Sequence, residues 1–148
     1  MVSPVRNTRS APKSSPTTPI SFGVHNGVSK GKKFEVRPTS EFYVLGTVPE
    51  SRKINAFLSF DSKFAGGAKG PEMKLQSVGI YEVKNGETGV PARVVKPSEM
   101  QKNPDGSFTL AGVDLPNART GKFVVISKGT IDDKPVRIQS ALTDTGDV

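Results

Sequence analysis

The chain has no cysteine and no tryptophan, and it has only one histidine, His25, among its 148 residues. Without cysteine there is no disulfide framework, no thiolate nucleophile and no cysteine-ligated metal. A single histidine cannot build a multi-histidine zinc site, and His25 has no carboxylate near it in sequence to suggest a triad. These absences remove most catalytic classes, so we expect neither an enzyme nor a metal or other cofactor.

Long apolar runs are also missing. No stretch approaches the roughly 18 consecutive apolar residues of a membrane-spanning helix, so no membrane segment is expected. The opening MVSPVRNTRSAPKSSPTTPI has scattered apolar side chains, unlike the continuous apolar stretch of a secretory signal. Its prolines also oppose the amphipathic helix of a transit peptide. The cytoplasm is therefore the default compartment.

Positive charge is concentrated at the start of the chain. The formal net charge is +7, and residues 1–40 hold seven basic side chains against one acidic, a net charge of +6. Residues 41–148 hold 14 basic and 13 acidic side chains and are almost neutral. Such an asymmetry indicates an interaction arm joined to a domain of ordinary charge.

Residues 1–20 are predicted to form an extended arm. Prolines at positions 4, 12, 16 and 19 restrict the backbone and remove donors, and seven serines or threonines add little apolar surface. Alone in water this segment should be disordered, gaining order on a partner. Residues 20–40 contain two alternating apolar patterns separated by a turn predicted at residues 25–27. These patterns predict a hairpin that leads into the domain or adds to a neighbour's sheet.

Residues 41–148 are predicted to form one β-domain. Asn85 with Gly86 is a hairpin signal, N-P-D-G over residues 103–106 predicts a second turn, and residues 129–134 connect the last two strands. The predicted strands cover residues 42–45, 54–60, 74–83, 90–95, 107–110, 122–127 and 135–140. This pattern predicts an all-β fold: a single small β-sandwich, immunoglobulin-like or jelly-roll-like, or a barrel, with an extended N-terminal arm.

These patterns divide the chain into residues 1–40, the arm with its connecting strands, and residues 41–148, the β-sandwich domain. The second part is long enough for one small core, so we expect it to keep its fold when residues 1–40 are removed. The predicted core residues are Phe42, Val44, Phe57, Leu58, Leu75, Val78, Ile80, Val94, Phe108, Leu110, Val113, Leu115, Phe123, Val125 and Ile138.

Residues 49–64 allow two interpretations. Apolar residues at positions 54, 57 and 58 have helical spacing, and a proline precedes them while two glycines follow. Apolar residues at positions 54, 56, 58 and 60 alternate as in a strand. The alternation favours a strand, with a helix as the alternative.

Two further segments have simpler interpretations than a ligand site. Residues 66–70, GGAKG, lack the Ser or Thr and the helix that follow a phosphate-binding lysine. We interpret them as a flexible surface loop that is available to a partner. Asp132 and Asp133 lack the ligand spacing and closing glutamate of a calcium loop, so a polar hairpin connection is favoured.

The basic residues of the first forty positions are the candidate partner-binding residues. They could neutralise phosphates, but they are sparse, and only Phe22 and Phe34 lie among them, so no base-stacking platform is indicated. An acidic protein surface is the favoured partner, with charge steering the encounter, and a merely solubilising tail is the third interpretation. The residues assigned to partner contact are Arg6, Arg9, Lys13, Lys30, Lys32 and Lys33.

A basic arm rich in proline, serine and threonine, followed by a β-domain without a catalytic set, resembles the small capsid decoration (cement) proteins of tailed bacteriophages. The resemblance lies in overall architecture and in no specific motif. It implies a virion structural protein, assembled in the host cytoplasm, whose arm clamps adjacent subunits of the major capsid protein or other virion subunits. A homo-oligomer, dimer or trimer, fits this role. The alternative is a nucleic-acid-binding viral coat or accessory protein that uses the basic arm.

Overall fold

The computed structural model describes residues 18–145, and these form 11 strands in one mixed sheet. The prediction of an all-β fold is confirmed. A short 3-10 helix, Pro97–Glu99, lies between β7 and β8, and no helix within residues 18–145 has the length and apolar character to cross a membrane. The strands are β1 (Ile20–Phe22), β2 (His25–Ser29), β3 (Lys32–Leu45), β4 (Lys53–Phe64), β5 (Lys74–Lys84), β6 (Glu87–Thr88), β7 (Arg93–Val95), β8 (Gln101–Lys102), β9 (Phe108–Asp114), β10 (Phe123–Ile131) and β11 (Lys134–Asp144).

The strands follow the order β6-β5-β10-β11-β3-β4-β9-β8 across the sheet, while β1, β2 and β7 pair beside this path. The two ends of the path do not pair with each other in the described part of the chain, so the barrel alternative is wrong. Both ends are strands of two residues, which offer too few backbone groups to complete a ring.

Two apolar clusters hold the sheet together. The larger one joins Ile54 of β4 and Leu110 of β9 to Ile80 of β5 and Val125 of β10. Because β11 and β3 separate these pairs of strands in the sheet order, the sheet must bend for them to share a core. The smaller core cluster consists of Phe34, Val36, Met73, Ile131, Val136 and Ile138.

Residues 53–64 are a strand, as the alternation predicted. Ile54 and Leu58 are buried, whereas Phe57, between them in the alternation, is 38% exposed. The prediction that Phe57 lies in the core is therefore wrong, and its ring stacks on Tyr43 at 5.9 Å on the outer face. The core prediction for Val94 is also wrong, because its side chain is 47% exposed. Alternation along β7 places the next residue, Val95, in the core instead.

Two predicted turns are confirmed. Asn85 and Gly86 join β5 to β6 with φ of 55° and 77°, the conformation that a two-residue hairpin requires. The N-P-D-G segment joins β8 to β9, and the amide of Gly106 donates to the carbonyl of Asn103 at 2.9 Å. The predicted connection over residues 129–134 is shorter than expected, because β10 continues to Ile131.

The turn predicted at residues 25–27 is wrong, because these residues lie in β2. The chain reverses at Lys30 and Gly31, whose φ angles are 51° and 78°, and β2 and β3 form a hairpin within this chain's own sheet. A Cβ at Gly27 would lie 2.6 Å from the Phe34 ring. The glycine therefore permits close packing across the hairpin and does not mark a turn.

Strand β3 continues across the division predicted after residue 40. It pairs with β4 from Phe34 to Leu45. Pro38 is tolerated because it lies between the part of β3 that pairs with β2 and the part that pairs with β11, where no other strand needs its missing N–H. Since Phe34 and Val36 are core residues, a truncation that tests the arm alone has to end before β1.

Candidate interaction surface

Three chain reversals lie together at one end of the sheet: the β2–β3 turn, the β4–β5 connection and the β10–β11 turn. The hydroxyl of Ser29 donates a hydrogen bond to the carboxylate of Asp132, which joins the first reversal to the third. The amide of Ala65 donates to the carbonyl of Lys33 at 3.2 Å, which joins the second to the first. We refer to these segments as the lysine end, which comprises residues 29–33, 63–71 and 131–134.

The backbone of the lysine end is held by local geometry. Asp132 and Asp133 have φ of 50° and 61° and form a two-residue turn between β10 and β11, as the polar hairpin interpretation predicted. In the β4–β5 connection, the amide of Phe64 donates to Ala68 and that of Gly70 to Ser62, each at 2.8 Å. The lysine side chains therefore extend from fixed backbone positions.

Six lysines belong to this end, and all of them are exposed: Lys30, Lys32, Lys33, Lys63, Lys69 and Lys134. Lys63 forms an ion pair with Asp61, with its Nζ 3.6 Å from the carboxylate. Within residues 18–145, none of the other five has a carboxylate at ion-pair distance. Their ammonium groups are thus available to an external anionic group. Lys69 also acts on Glu72 at longer range, where it assists Lys102 in lowering the pKa of that carboxyl.

Several basic side chains elsewhere are paired. The guanidinium of Arg52 forms two hydrogen bonds of 2.7 Å with Asp114, and this pairing holds the pKa of that carboxyl below its usual range. Arg93 lies 2.9 Å from Glu99. Among the described residues, Lys53, Lys96 and Lys122 are also exposed without an ion-pair partner. The lysine end differs from those sites because its lysines come from separate chain reversals that lie together.

The structure brings together Lys30, Lys32 and Lys33, which the sequence assigned to partner contact, on one hairpin. It adds Lys63, Lys69 and Lys134, which the sequence analysis did not assign. The available signal for Lys69 was its place in the GGAKG segment, a loop interpreted as open to a partner. The other assigned residues, Arg6, Arg9 and Lys13, lie outside the described residues.

The segment that leads into β1 lies beside the same end. The carbonyl of Thr18 accepts a hydrogen bond from the guanidinium of Arg137 at 3.0 Å, and β1 runs parallel to β11 with Ile20 beside Arg137. Strand β11 begins at Lys134, directly after the β10–β11 turn. Tracing the chain back from β1 therefore leads towards the lysine end.

His25 lies at the start of β2. Its Nδ1 is 2.9 Å from the hydroxyl oxygen of Ser21, and its ring centroid is 6.2 Å from that of Phe34. Partial burial lowers the pKa of His25 below 6.5, because the imidazolium loses solvation. The unfolded chain therefore takes up this proton at a higher pH than the folded chain.

From this difference we expect stability to fall as the pH is lowered through about 6.5, since protonation then favours the unfolded chain. Above that pH His25 is neutral in both the folded and the unfolded chain, so its partial burial costs no stability. The prediction is checked by urea unfolding at about pH 7.5 and about pH 5.5, where His25→Gln should show a smaller difference than the native chain. Because the chain has one histidine, its ring proton also reports the pKa directly by NMR. A folded pKa at or above that of the unfolded chain would contradict the prediction.

Metal ligation is not indicated within residues 18–145, where no group of three or more His, Asp or Glu side chains is placed to hold an ion. Compared with protein-family models, with curated protein sequences and with solved structures, the chain shows no significant match.

Proposed function

We propose that this chain is a non-enzymatic virion structural protein that decorates or cements the capsid of a bacteriophage, binding adjacent subunits through its N-terminal arm and its lysine end. One observation carries this proposal: the chain enters the domain beside the lysine end, through the contact of Thr18 with Arg137. A partner surface that faces Lys30 and Lys69 therefore also faces the root of the basic arm.

The mechanism follows from the chemistry of the two parts. The arm gives up conformational freedom when it docks, and it gains contact area across more than one subunit. The exposed lysines steer the domain towards an acidic face of the major capsid protein or of another virion subunit. Repetition over a symmetric shell, or a dimer or trimer of this chain, adds avidity. Assembly would take place in the host cytoplasm.

The distribution of acidic side chains favours a protein partner over nucleic acid. Asp61 lies beside Lys63, Asp132 lies in the turn next to the lysine hairpin, and Glu72 is held 3.0 Å from Lys102. A phosphate backbone needs a continuous positive track, which these carboxylates interrupt. A protein surface can place neutral or basic groups opposite them.

The proposal includes the packing class of the domain, a single small β-sandwich. What supports it is the shared core of β4 and β9 with β5 and β10, which lie on opposite sides of β11 and β3 in the sheet order. A sheet that bends in this way presents two layers to one core, as in sandwiches.

The test is retention on capsid shells prepared without this protein. The full chain should co-sediment with the shells at a fixed ratio to capsid subunits. A chain that begins at residue 18 keeps every described strand, and we expect its retention to drop by about tenfold or more as multivalent contact is lost.

A matched control separates the charge of the arm from its length: the full-length variant with Arg6, Arg9 and Lys13 replaced by glutamine. It should lie between the two chains in retention. Equal retention of the full and truncated chains would contradict the proposal. Binding to DNA that weakens steeply with salt, with no binding to empty shells, would establish the nucleic-acid alternative instead.

A further inference from the structure

A cavity of about 430 Å³ opens at the lysine end, between the β2–β3 turn and the β4–β5 connection. Its lining includes Lys30 and Lys32 from one side and Lys69 from the other, together with Phe64 and Asp132. Three positive charges from two separate segments therefore converge on one concave space.

We propose that this cavity binds the carboxylates of an acidic peptide segment on the partner protein. The inference rests on the proposed function and names the chemistry that the lysine end recognises. A cavity of this kind takes up to three closely spaced Asp or Glu side chains, each opposite one of the three lysines.

The charge balance of the cavity supports an anionic occupant. Asp132 supplies the carboxylate among the lining residues, and that carboxylate already accepts a hydrogen bond from Ser29. The three lysines have no ion-pair partner among the described residues. An incoming carboxylate would complete pairs that the chain itself leaves open.

The kinds of side chain present favour carboxylates over phosphates. The lining has lysines and no arginine among the described residues, and a planar guanidinium is the group that grips phosphate with two bonds. Ammonium groups on flexible stems adapt to carboxylates at variable spacing. The fixed carboxylate of Asp132 repels a uniformly charged phosphate backbone, whereas a peptide can place a neutral residue there.

The cavity walls are set before any partner arrives. The Ser29–Asp132 hydrogen bond fixes the lysine hairpin against the β10–β11 turn. The amide of Gly70 donates to the carbonyl of Ser62, and a Cβ at Gly70 would lie 2.5 Å from the Ser62 hydroxyl oxygen. This close approach holds the segment that carries Lys69 against β4. Fixed walls reduce the ordering cost of binding.

The inference is tested by fluorescence anisotropy of the full chain with a labelled peptide of alternating glutamate and serine. The cavity variant replaces Lys30, Lys32 and Lys69 by glutamine. The control variant replaces three exposed lysines outside the lysine end, Lys53, Lys96 and Lys122, and so removes the same charge. We expect about tenfold weaker binding for the cavity variant and less than about twofold for the control.

Equal affinities of the two variants would overturn the inference, since net charge alone would then explain binding. Competition by a twelve-residue oligothymidylate or by inorganic phosphate at concentrations below those of the unlabelled peptide would also overturn it. Full retention of the cavity variant on shells that release the chain beginning at residue 18 would overturn the cavity and leave the proposed function standing. Lysine-dependent peptide binding by a chain that no shell retains would support the cavity and contradict the proposed function.

Discussion

A chain that begins at residue 41 is expected to lose its cooperative unfolding transition, whereas a chain that begins at residue 18 should keep the stability of the full chain. Residues 18–40 supply β1, β2 and the first part of β3. Phe34 and Val36 are 6% and 0% exposed and belong to the smaller core cluster. Deleting one buried phenylalanine side chain costs about 3–5 kcal/mol, a large part of the roughly 5–15 kcal/mol that stabilises a domain.

The same truncation breaks the longest strand pair of the sheet's centre. Strands β3 and β4 pair from Phe34 with Phe64 to Leu45 with Lys53, and a chain starting at residue 41 keeps only the last part of this ladder. The remainder of β4 would become an open edge that invites aggregation. Both effects act in the same direction.

The measurement is urea unfolding of the two truncated chains and the full chain, followed by far-ultraviolet circular dichroism. The chain beginning at residue 18 is the control, because it loses no described strand. Cooperative unfolding of residues 41–148 at the urea midpoint of the full chain would contradict the prediction. It would show that β4 and β11 hold the fold without the first part of β3.

Replacing Gly129 by alanine is expected to destabilise the folded chain by about 3 kcal/mol. Gly129 is buried in β10, where the register against β5 shifts between Lys128 and Gly129. A Cβ at this position would collide with the carbonyl oxygen of Lys74 and lie 2.9 Å from its carbonyl carbon. Because these are backbone atoms of the paired strand β5, they cannot move away without breaking hydrogen bonds of the β5–β10 ladder.

The chain offers a matched control in Gly89, which is exposed, has no atom within 4 Å of an added Cβ and has no positive φ. Gly89→Ala should change the free energy of unfolding by less than about 1 kcal/mol. Both variants are compared with the native chain by urea unfolding. A loss of less than about 1 kcal/mol in Gly129→Ala would mean that the bulge relaxes readily, contrary to the expectation.

The strands and several turns could be predicted from the sequence because they depend on local preferences. Ile54 and Leu58 alternate with outward residues since side chains along a strand point to opposite faces. Asn85 and Gly86 mark a hairpin since both residues tolerate positive φ. The turn predicted at residues 25–27 is wrong because Gly27 is required by the Phe34 ring on the next strand. Local conformational preferences carry no information about that contact.

The candidate site could be predicted only in part. Lys30, Lys32 and Lys33 are close in sequence, and their clustering follows directly from that. Lys69 joins them because the β4–β5 connection folds back against β3, through the hydrogen bond from Ala65 to Lys33. That contact depends on the register of β3 with β4, which pairs residues far apart in the chain.

By itself the sequence determined an all-β chain with its excess charge near the start, because alternation, turn residues and charge are local properties. The tertiary structure alone decided that residues 20–40 belong to the sheet, that the sheet stays open, and that three reversals meet at one end. These features follow from which strands pair and where apolar faces meet. Such pairing joins segments by the burial and hydrogen bonding of the whole fold, which no single stretch of sequence specifies.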